Sequence, residues 1–458
     1  MSKSQILFSS FSITVVSSVI VVLQIIDSTS GDTWASNIAS RNSLNYLILY
    51  SIITCASLTT QCFLLAFSSQ ISFRIKKATT KQTWATTCIY VISHIIVIVL
   101  IAYLVIQQVS TSSYHMSISE LIVGISFIAS AAILISLAFT FIKSFFASRN
   151  KLVGIYALAI IALSIQQITA FTYVEINFLN SDQFITPVRN PWSAHVSSSS
   201  VDITSFIYQI SKAISFITIW ISSVLLTIQY SKRWRIKYWS IVSIPLIYFL
   251  IQYPLILLTQ TGTLSTLLMS REQLFLYAYN FVFNTVSIGT GILFGISFFI
   301  VAKSVKHVNL KFYLTISGAG IMILFSSNVA TNLVLAPFPA WGIVSVSLIL
   351  PASYLLLIGL DSSIHDIGMD RSIRSYLSTN RNQFKLFLSL GSTEASKLIE
   401  RKIRDISKKI SDNIGSETMF KPAPGSEDVN EYVKEVLAEL KKSKMTNVKS
   451  DEGSSDPK

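Results

Sequence analysis

The amino-acid sequence predicts an all-α fold: a polytopic membrane bundle of about ten transmembrane helices, followed by a short helical tail in the cytosol. Composition is the first reason, because hydrophobic residues make up 51% of the 458 residues and charged residues only 13%. A soluble domain usually carries about 25% charged residues. The other two reasons are the length of the apolar runs and the placement of the basic residues between them.

Each of ten apolar stretches is long enough to cross a bilayer, since roughly 20 helical residues rising 1.5 Å each cover a core of about 30 Å. The predicted spans are 6–26, 45–68, 85–107, 120–143, 152–173, 204–229, 238–260, 274–302, 312–335 and 342–361. Many of them are apolar on all sides, which is typical of helices surrounded by lipid or by other helices.

Lysine and arginine are concentrated in every second gap between these spans. The gaps placed inside contain 14 basic residues and no acidic residue, whereas those placed outside contain three basic residues. Basic loops are retained in the cytosol, so the sequence predicts a cell-membrane protein with both termini cytosolic. The net charge of +13 is then explained by the inner face, where basic residues meet the anionic lipid bilayer, and nucleic acid is not predicted as a partner.

The chain divides near Asp361 into a membrane domain (1–361), a tail of amphipathic helices (362–445) and an end predicted to be disordered (446–458). A first tail helix is expected after Gly391, capped by Ser392 or Thr393 and ending at Gly415. Its apolar stripe consists of Leu398, Ile399, Ile403, Ile406, Ile410 and Ile414.

A second tail helix is expected after a Pro-containing linker at 421–425. Its stripe consists of Val429, Tyr432, Val433, Val436, Leu437 and Leu440. The two stripes can pack on each other or on the membrane domain. Alternatively, residues 392–414 and 426–444 mediate self-association or bind a cytosolic protein.

Polar side chains within the spans mark candidate functional positions, because they are costly in hydrocarbon. Asn280 and Asn284 in the eighth span and Asn328 and Asn332 in the ninth are each spaced i,i+4, and Asn280 and Asn328 both lie roughly 10 Å below the outer surface. The full candidate layer is Gln166, Gln167, Gln209, Lys212, Gln252, Tyr253, Asn280, Asn284, Asn328 and Asn332. It forms either an outward-facing pocket for a small neutral or anionic solute, or a seam of interhelical hydrogen bonds without a ligand.

No Asp or Glu falls within the body of a predicted span, although ion-coupled carriers usually need a buried carboxylate there. His94, in the middle of the third span, is expected to hydrogen-bond a neighbour. The His residues show no metal-binding spacing, the three Cys lie within spans, and nucleotide-binding and hydrolase motifs are absent. The sequence therefore predicts no metal, no cofactor and no enzymatic activity. Pro351 and the series Gly289, Gly291 and Gly295 are candidates either for a broken helix or for a kink and close packing.

Four short motifs follow the last span: Gly359-Leu-Asp-Ser-Ser-Ile, Asp370-Arg-Ser-Ile-Arg, Leu388-Ser-Leu-Gly391 and Glu400-Arg-Lys-Ile. Together with the overall plan, they resemble one end of a group of uncharacterised multi-pass archaeal membrane proteins. The chain departs from that pattern at 364–368, where a more apolar stretch is expected. The resemblance implies an archaeal cell membrane and a shared junction, but it implies no activity and no site residue.

Two functions are therefore predicted. The first is a non-enzymatic integral membrane protein that senses or scaffolds through its cytosolic tail, favoured by the amphipathic stripes and by the absence of ion-coupling carboxylates. The alternative is a transporter or uniporter for a small neutral or anionic solute, favoured by the amides at matching depth.

Overall fold

The computed structural model describes residues 3–30, 43–75, 81–111, 113–179, 184–185, 199–227, 243–244, 246–250, 272–327, 340–379 and 381–418. The helices are α1 (Lys3–Ser30), α2 (Ser43–Ile75), α3 (Lys81–Thr111), α4 (Met116–Ser148), α5 (Lys151–Leu179), α6 (Ser199–Thr227), α7 (Glu272–Ser304), α8 (Val308–Ser326), α9 (Ile343–Ser347), α10 (Ile349–Met369), α11 (Arg371–Thr379) and α12 (Arg381–Thr418). Two short strands, β1 (Tyr114–His115) and β2 (Phe184–Ile185), pair in antiparallel fashion between the α3–α4 and α5–α6 connections.

Eight helical segments in these ranges are long and apolar enough to cross a membrane, which confirms the predicted class of an all-α membrane bundle. They correspond to the first six predicted spans and to the last two. The eighth predicted span lies in α7, where Ile288–Ser304 forms a shorter apolar segment. Most of the seventh, 238–260, lies outside the described residues. The total of ten spans and the cytosolic termini stay predictions.

The last membrane helix lies at the centre of the bundle. It consists of α9 and α10, together termed the central helix, and α10 contacts α2, α3, α4, α8 and α12. Residues 340–360 are all buried. The helix is interrupted at Leu348 because Pro351 has no N–H to donate to the carbonyl of Ser347, four residues earlier. Pro351 therefore explains the interruption, which lies one turn earlier at Leu348.

Gly291 and Gly295 of α7 allow close helix packing, as one of the two interpretations predicted, and α7 itself is a continuous helix. A Cβ atom at Gly295 would lie 2.9 Å from the carbonyl oxygen of Gly318 on α8. The same kind of contact joins α8 to α10, where a Cβ atom at Gly320 would lie 2.7 Å from the backbone nitrogen of Leu356. Three successive membrane helices thus touch backbone to backbone.

The tail begins as a continuation of the bundle. The helix α10 passes Asp361 without a break, and α12 starts at Arg381, so the predicted helix start at Ser392 or Thr393 is wrong. Gly391 lies inside α12 and faces Ile367 of α10, where a Cβ atom would lie 2.6 Å from the Cβ of Ile367. It is a position of close approach, and α12 continues to Thr418. Residues 419–458, which include the second predicted tail helix and the predicted disordered end, lie outside the described part.

The junction between α10 and α12 explains the motif Asp370-Arg-Ser-Ile-Arg. The Oδ1 atom of Asp370 accepts the backbone N–H of Ser372 at 2.7 Å, at the start of α11. Hydrogen bonds from the Ser372 hydroxyl and N–H hold the pKa of Asp370 below its usual range. The guanidinium of Arg374 donates to the carbonyl of Gly368 and so covers the end of α10. Each helix end at this turn is therefore capped by a side chain of the motif.

Replacing Gly391 with valine is expected to detach α12 from α10 while the rest of the bundle stays folded. The added methyl groups collide with the buried Ile367, and such overpacking typically costs about 1–3 kcal/mol. Limited proteolysis should cleave the variant within 381–418 faster than the wild type. Ser392→Val adds the same side chain at the neighbouring exposed position, and equal protection of both variants would contradict the close contact.

Candidate functional site

The central helix is held by polar side chains from four surrounding helices at successive levels, a set termed the polar collar. The pairs are Asp27 of α1 with Ser345, Gln61 of α2 with Ser347, Ser130 of α4 with Ser353, and Thr87 of α3 with Tyr354. All four partners on the central helix are buried. The collar thus connects the central helix to α1, α2, α3 and α4 through polar side chains.

Asp27 supplies the charge of the collar and is fully buried. Its Oδ1 atom accepts the N–H of Gly342 at 3.1 Å, and its Oδ2 atom accepts the N–H and the hydroxyl of Ser345 at 3.1 and 2.6 Å. These donors form the start of α9, where Gly342 has a φ of 88° that favours glycine. The Asp27 carboxylate of α1 therefore caps the N-terminus of the neighbouring helix α9, where a negative charge is favourable.

The prediction that no membrane span contains a carboxylate is wrong, because Asp27 lies in the first one. The predicted first span ended at Ile26 because hydropathy falls there, but α1 continues to Ser30 and keeps Asp27 inside the bundle. Gln24, three residues earlier on the same face, is also fully buried and donates to the hydroxyl of Ser327. This i,i+3 pair of polar residues at the end of an apolar run was the signal for an inward-facing end.

The second level of the collar includes His94. The Nε2 atom of Gln61 donates to the hydroxyl of Ser347 at 2.7 Å, and the backbone carbonyl of Gln61 lies 3.3 Å from Nε2 of His94. The imidazole stacks on Tyr90, and Tyr90 stacks on Tyr354 with ring centroids 3.9 Å apart. His94 is thus hydrogen-bonded to a neighbouring helix, as the sequence predicted.

The lower levels of the collar are simple hydroxyl pairs. The Oγ atoms of Ser130 and Ser353 are 2.5 Å apart, and the hydroxyl of Tyr354 donates to Oγ1 of Thr87 at 3.0 Å. Interhelical hydrogen bonds in membrane proteins contribute about 0.6 kcal/mol each on average. Their effect here is geometric, because four helices fix the height and rotation of the central helix.

A second line of contacts joins α5 to α6 and includes Gln166 of the candidate layer. Its levels are Gln166 with Ser215, Thr169 with Ser211, and the stacked rings of Tyr173 and Tyr208. Gln166 and Gln167 are buried, Lys212 is 8% exposed, and Gln209 is partly buried. Gln166, Gln167 and Lys212 are therefore packed between helices, with almost no surface open to solvent.

The side chains of the remaining candidate-layer residues lie outside the described part of the structure. Asn280 and Asn284 belong to α7, but their side chains lie outside the described part of the structure. Gln252, Tyr253, Asn328 and Asn332 also lie outside it. The convergence of these amides with Gln166 and Lys212 stays a prediction.

Comparison with known proteins gives no family for this chain. The sequence matches no protein-family model and no curated protein, and the fold matches no solved structure. The functional argument therefore depends on the geometry of the chain itself, and the resemblance of the junction motifs stays a prediction.

The contacts of the polar collar position the central helix against its neighbours. Among the described residues, no group of three or more His, Cys, Asp or Glu side chains is arranged to hold a metal ion. The carboxylate of Asp27 is engaged by three donors, and His94 packs against Tyr90 and Gln61. The collar can thus fix the central helix in one position, or release it when one of these contacts is lost.

Replacing Gln167 with leucine is expected to leave the free energy of unfolding unchanged or to raise it by up to about 1 kcal/mol. Both amide atoms of Gln167 are buried without a hydrogen-bond partner among the described residues, so the substitution removes an unmet desolvation cost. Gln166→Leu, in contrast, removes the acceptor of the Ser215 hydroxyl and should cost about 1 kcal/mol. Denaturant unfolding in detergent measures both, and a large loss for Gln167→Leu would indicate a bound ligand or polar partner at that residue.

Proposed function

We propose that the protein is a non-enzymatic, integral multi-pass protein of the cell membrane that senses or scaffolds through a cytosolic helical tail. The observation that carries the proposal is the connection between the collar and the tail. The central helix is held by Asp27 at Ser345 and reaches α12 at Ile367, which packs against Gly391. These contacts are 22 residues apart, roughly 33 Å along a helix. A buried helix fixed at both ends supports a tail of defined position.

The tail offers a surface beyond this contact. Ile399 is 49% exposed and Ile406 is 56% exposed, seven residues apart on one face of α12. The positions on this face, termed the tail stripe, are Ile399, Ile403, Ile406, Ile410 and Ile414. An exposed apolar stripe outside the membrane spans is typical of a surface that binds another protein segment.

The charge distribution supports a cytosolic position for the tail. His307 lies 3.9 Å from Asp370, which places the α7–α8 connection beside the start of the tail. That connection is flanked by Lys303, Lys306 and Lys311. Basic connections of this kind are retained in the cytosol.

Cross-linking in membranes of the native host tests the docking function. The wild-type chain should capture a reproducible set of cytosolic proteins, and Ile399→Glu with Ile406→Glu should lower that capture about tenfold, as expected for charges placed in an apolar interface. The control is Arg401→Glu with Lys408→Glu, which places two glutamates on the opposite face of α12 and changes the net charge by −4, more than the −2 of the test variant. Identical captured sets from all three proteins would refute the proposal.

The alternative, transport of a small neutral or anionic solute, is favoured by buried ionisable side chains within the spans, among them Asp27 and Lys212. Such residues are costly in a membrane and often line transport pathways. Flux into proteoliposomes distinguishes the two functions. Uptake of a neutral or anionic solute that falls to the background of empty vesicles in Lys212→Met would replace the docking proposal, and no flux across a broad panel would exclude transport of those solutes.

A further inference from the structure

The tail stripe is an apolar surface that lipid contact does not explain. In the described residues, the other exposed large hydrophobic side chains lie on the apolar membrane segments of the helices or within the predicted span 238–260, apart from Met369 at the end of α10. Ile399 and Ile406 lie on a helix that carries six basic and five acidic residues between 392 and 418. This nearly neutral part of α12 has little attraction to anionic lipid, since surface binding depends on an excess of basic residues. The tail stripe is therefore better suited to contact with another protein segment than to contact with lipid.

The following segment of the same chain has the matching pattern. Ile399, Ile403, Ile406 and Ile410 are separated by four, three and four residues, and Val429, Val433, Val436 and Leu440 are separated by four, three and four as well. Because the spacing is symmetric, an antiparallel alignment brings all four pairs level at once. The pairs are Ile399 with Leu440, Ile403 with Val436, Ile406 with Val433, and Ile410 with Val429. Two helices with apolar seams of this period pack as a short antiparallel coiled coil.

We propose that residues 427–443 fold back as a helix antiparallel to α12 and cover the tail stripe in the resting protein. This inference depends on the proposed function only where it treats the stripe as a docking surface, and it adds regulation to that surface. A partner gains access to Ile399 and Ile406 by displacing the chain's own cover.

The length of the connection fits this arrangement. The helix α12 ends at Thr418, and eight residues, including Pro422, Pro424 and Gly425, separate it from Glu427. In the alignment, Glu427 lies level with residue 412, roughly 9 Å back along α12 and one interhelical distance of about 8–10 Å to the side. Eight residues can span about 26 Å, so the hairpin closes without strain.

Charges beside the seam favour this cover over a second copy of α12. In an antiparallel coiled coil, residues on the same flank of the two apolar seams face each other. The exposed Lys402 therefore lies opposite Glu439, and Lys409 lies opposite Tyr432. Two parallel copies of α12 would instead place Lys402 opposite Ser407, with no opposite charge at that position. The chain's own segment supplies both the apolar pairs and the charge pair.

Cysteine cross-linking of the full-length chain in lipid nanodiscs tests the proposal. Cys55, Cys62 and Cys88 are replaced by serine, and Lys402→Cys is combined with Glu439→Cys. A short bismaleimide linker should join the pair within one chain in most molecules, read as a monomer-sized product carrying one linker. The control combines Lys402→Cys with Lys434→Cys, which lies on the far side of the second helix and should give a several-fold lower yield.

Two outcomes overturn the inference. A product of twice the chain mass shows that a second copy covers the stripe, and equal yields from both cysteine pairs show that the segment has no fixed register on α12. The measurement uses the purified chain alone, so it can fail while the docking function holds. It can equally succeed where membrane cross-linking captures no partner, which keeps the two proposals separable.

Discussion

Replacing Asp27 with alanine is expected to lower the free energy of unfolding by about 3–5 kcal/mol, because it leaves the donors of Gly342 and Ser345 buried without their acceptor. Asp27 and Ser345 are both fully buried, so the freed donors have no exposure to bulk solvent. The loss is measured by denaturant or thermal unfolding in detergent, followed by tryptophan fluorescence. Hydrogen exchange should show that the backbone of 340–348 opens first.

Val22→Ala is the matched control for this change, because Val22 lies on α1 but is largely exposed on the outside of the bundle. It should cost well under about 1 kcal/mol. Ser345→Ala removes one of the three hydrogen bonds, and its effect should be much smaller when Asp27 is already alanine. Wild-type stability of Asp27→Ala, or strict additivity of the pair, would show that the carboxylate does not cap α9.

Replacing Gly359 with valine is expected to cost about 3 kcal/mol or more and to separate α8 from α10. A Cβ atom at this position would lie 2.7 Å from the backbone nitrogen of Ser317 and 2.7 Å from the carbonyl oxygen of Tyr313. Backbone atoms cannot rotate away as side chains do, so the two helices must move apart along a fully packed seam. The measurement is the unfolding free energy together with the fraction of protein that stays monodisperse in detergent.

Gly289→Ala is the control for Gly359, because the nearest atom to its added Cβ is 3.8 Å away on Tyr248. This is an ordinary van der Waals contact, and replacing a helical glycine with alanine raises helix stability by up to about 1 kcal/mol. The two substitutions should therefore act in opposite directions. A stable Gly359→Val protein would contradict the close crossing of α8 and α10.

The membrane spans were predictable because their length and apolarity are local properties, whereas their position in the bundle was not. The third predicted span and the last one are both apolar all round. Yet Val99 on the third is 60% exposed on the outside of the bundle, while Leu350 on the last is fully buried by protein. Hydropathy cannot separate these two cases, because lipid and protein interior are equally apolar. The central location of α10 was therefore visible only in three dimensions.

Sequence rules also assign the wrong structural role to two residues, Gly391 and Asp27. The sequence pattern places Gly391 just before a helix cap, although glycine serves equally to let another helix approach, here at Ile367. Asp27 was excluded because it follows the apolar run by one residue, and its partners Gly342 and Ser345 lie far away in the chain. In the candidate layer, the burial of Gln166 and Lys212 could not be deduced, because one face of a helix looks the same whether it lines a pocket or a seam.

The contact between Asp27 and Gly342 joins residues that are 315 positions apart, and this separation has a consequence for biosynthesis. The carboxylate enters the membrane with the first helix, but its donors leave the ribosome roughly 15–60 s later at usual elongation rates. During that interval the intervening helices are inserted, while the carboxyl group of Asp27 still lacks its hydrogen-bond donors Gly342 and Ser345. The insertion of the last membrane helix then supplies these donors, so one side chain joins the first membrane helix to the last.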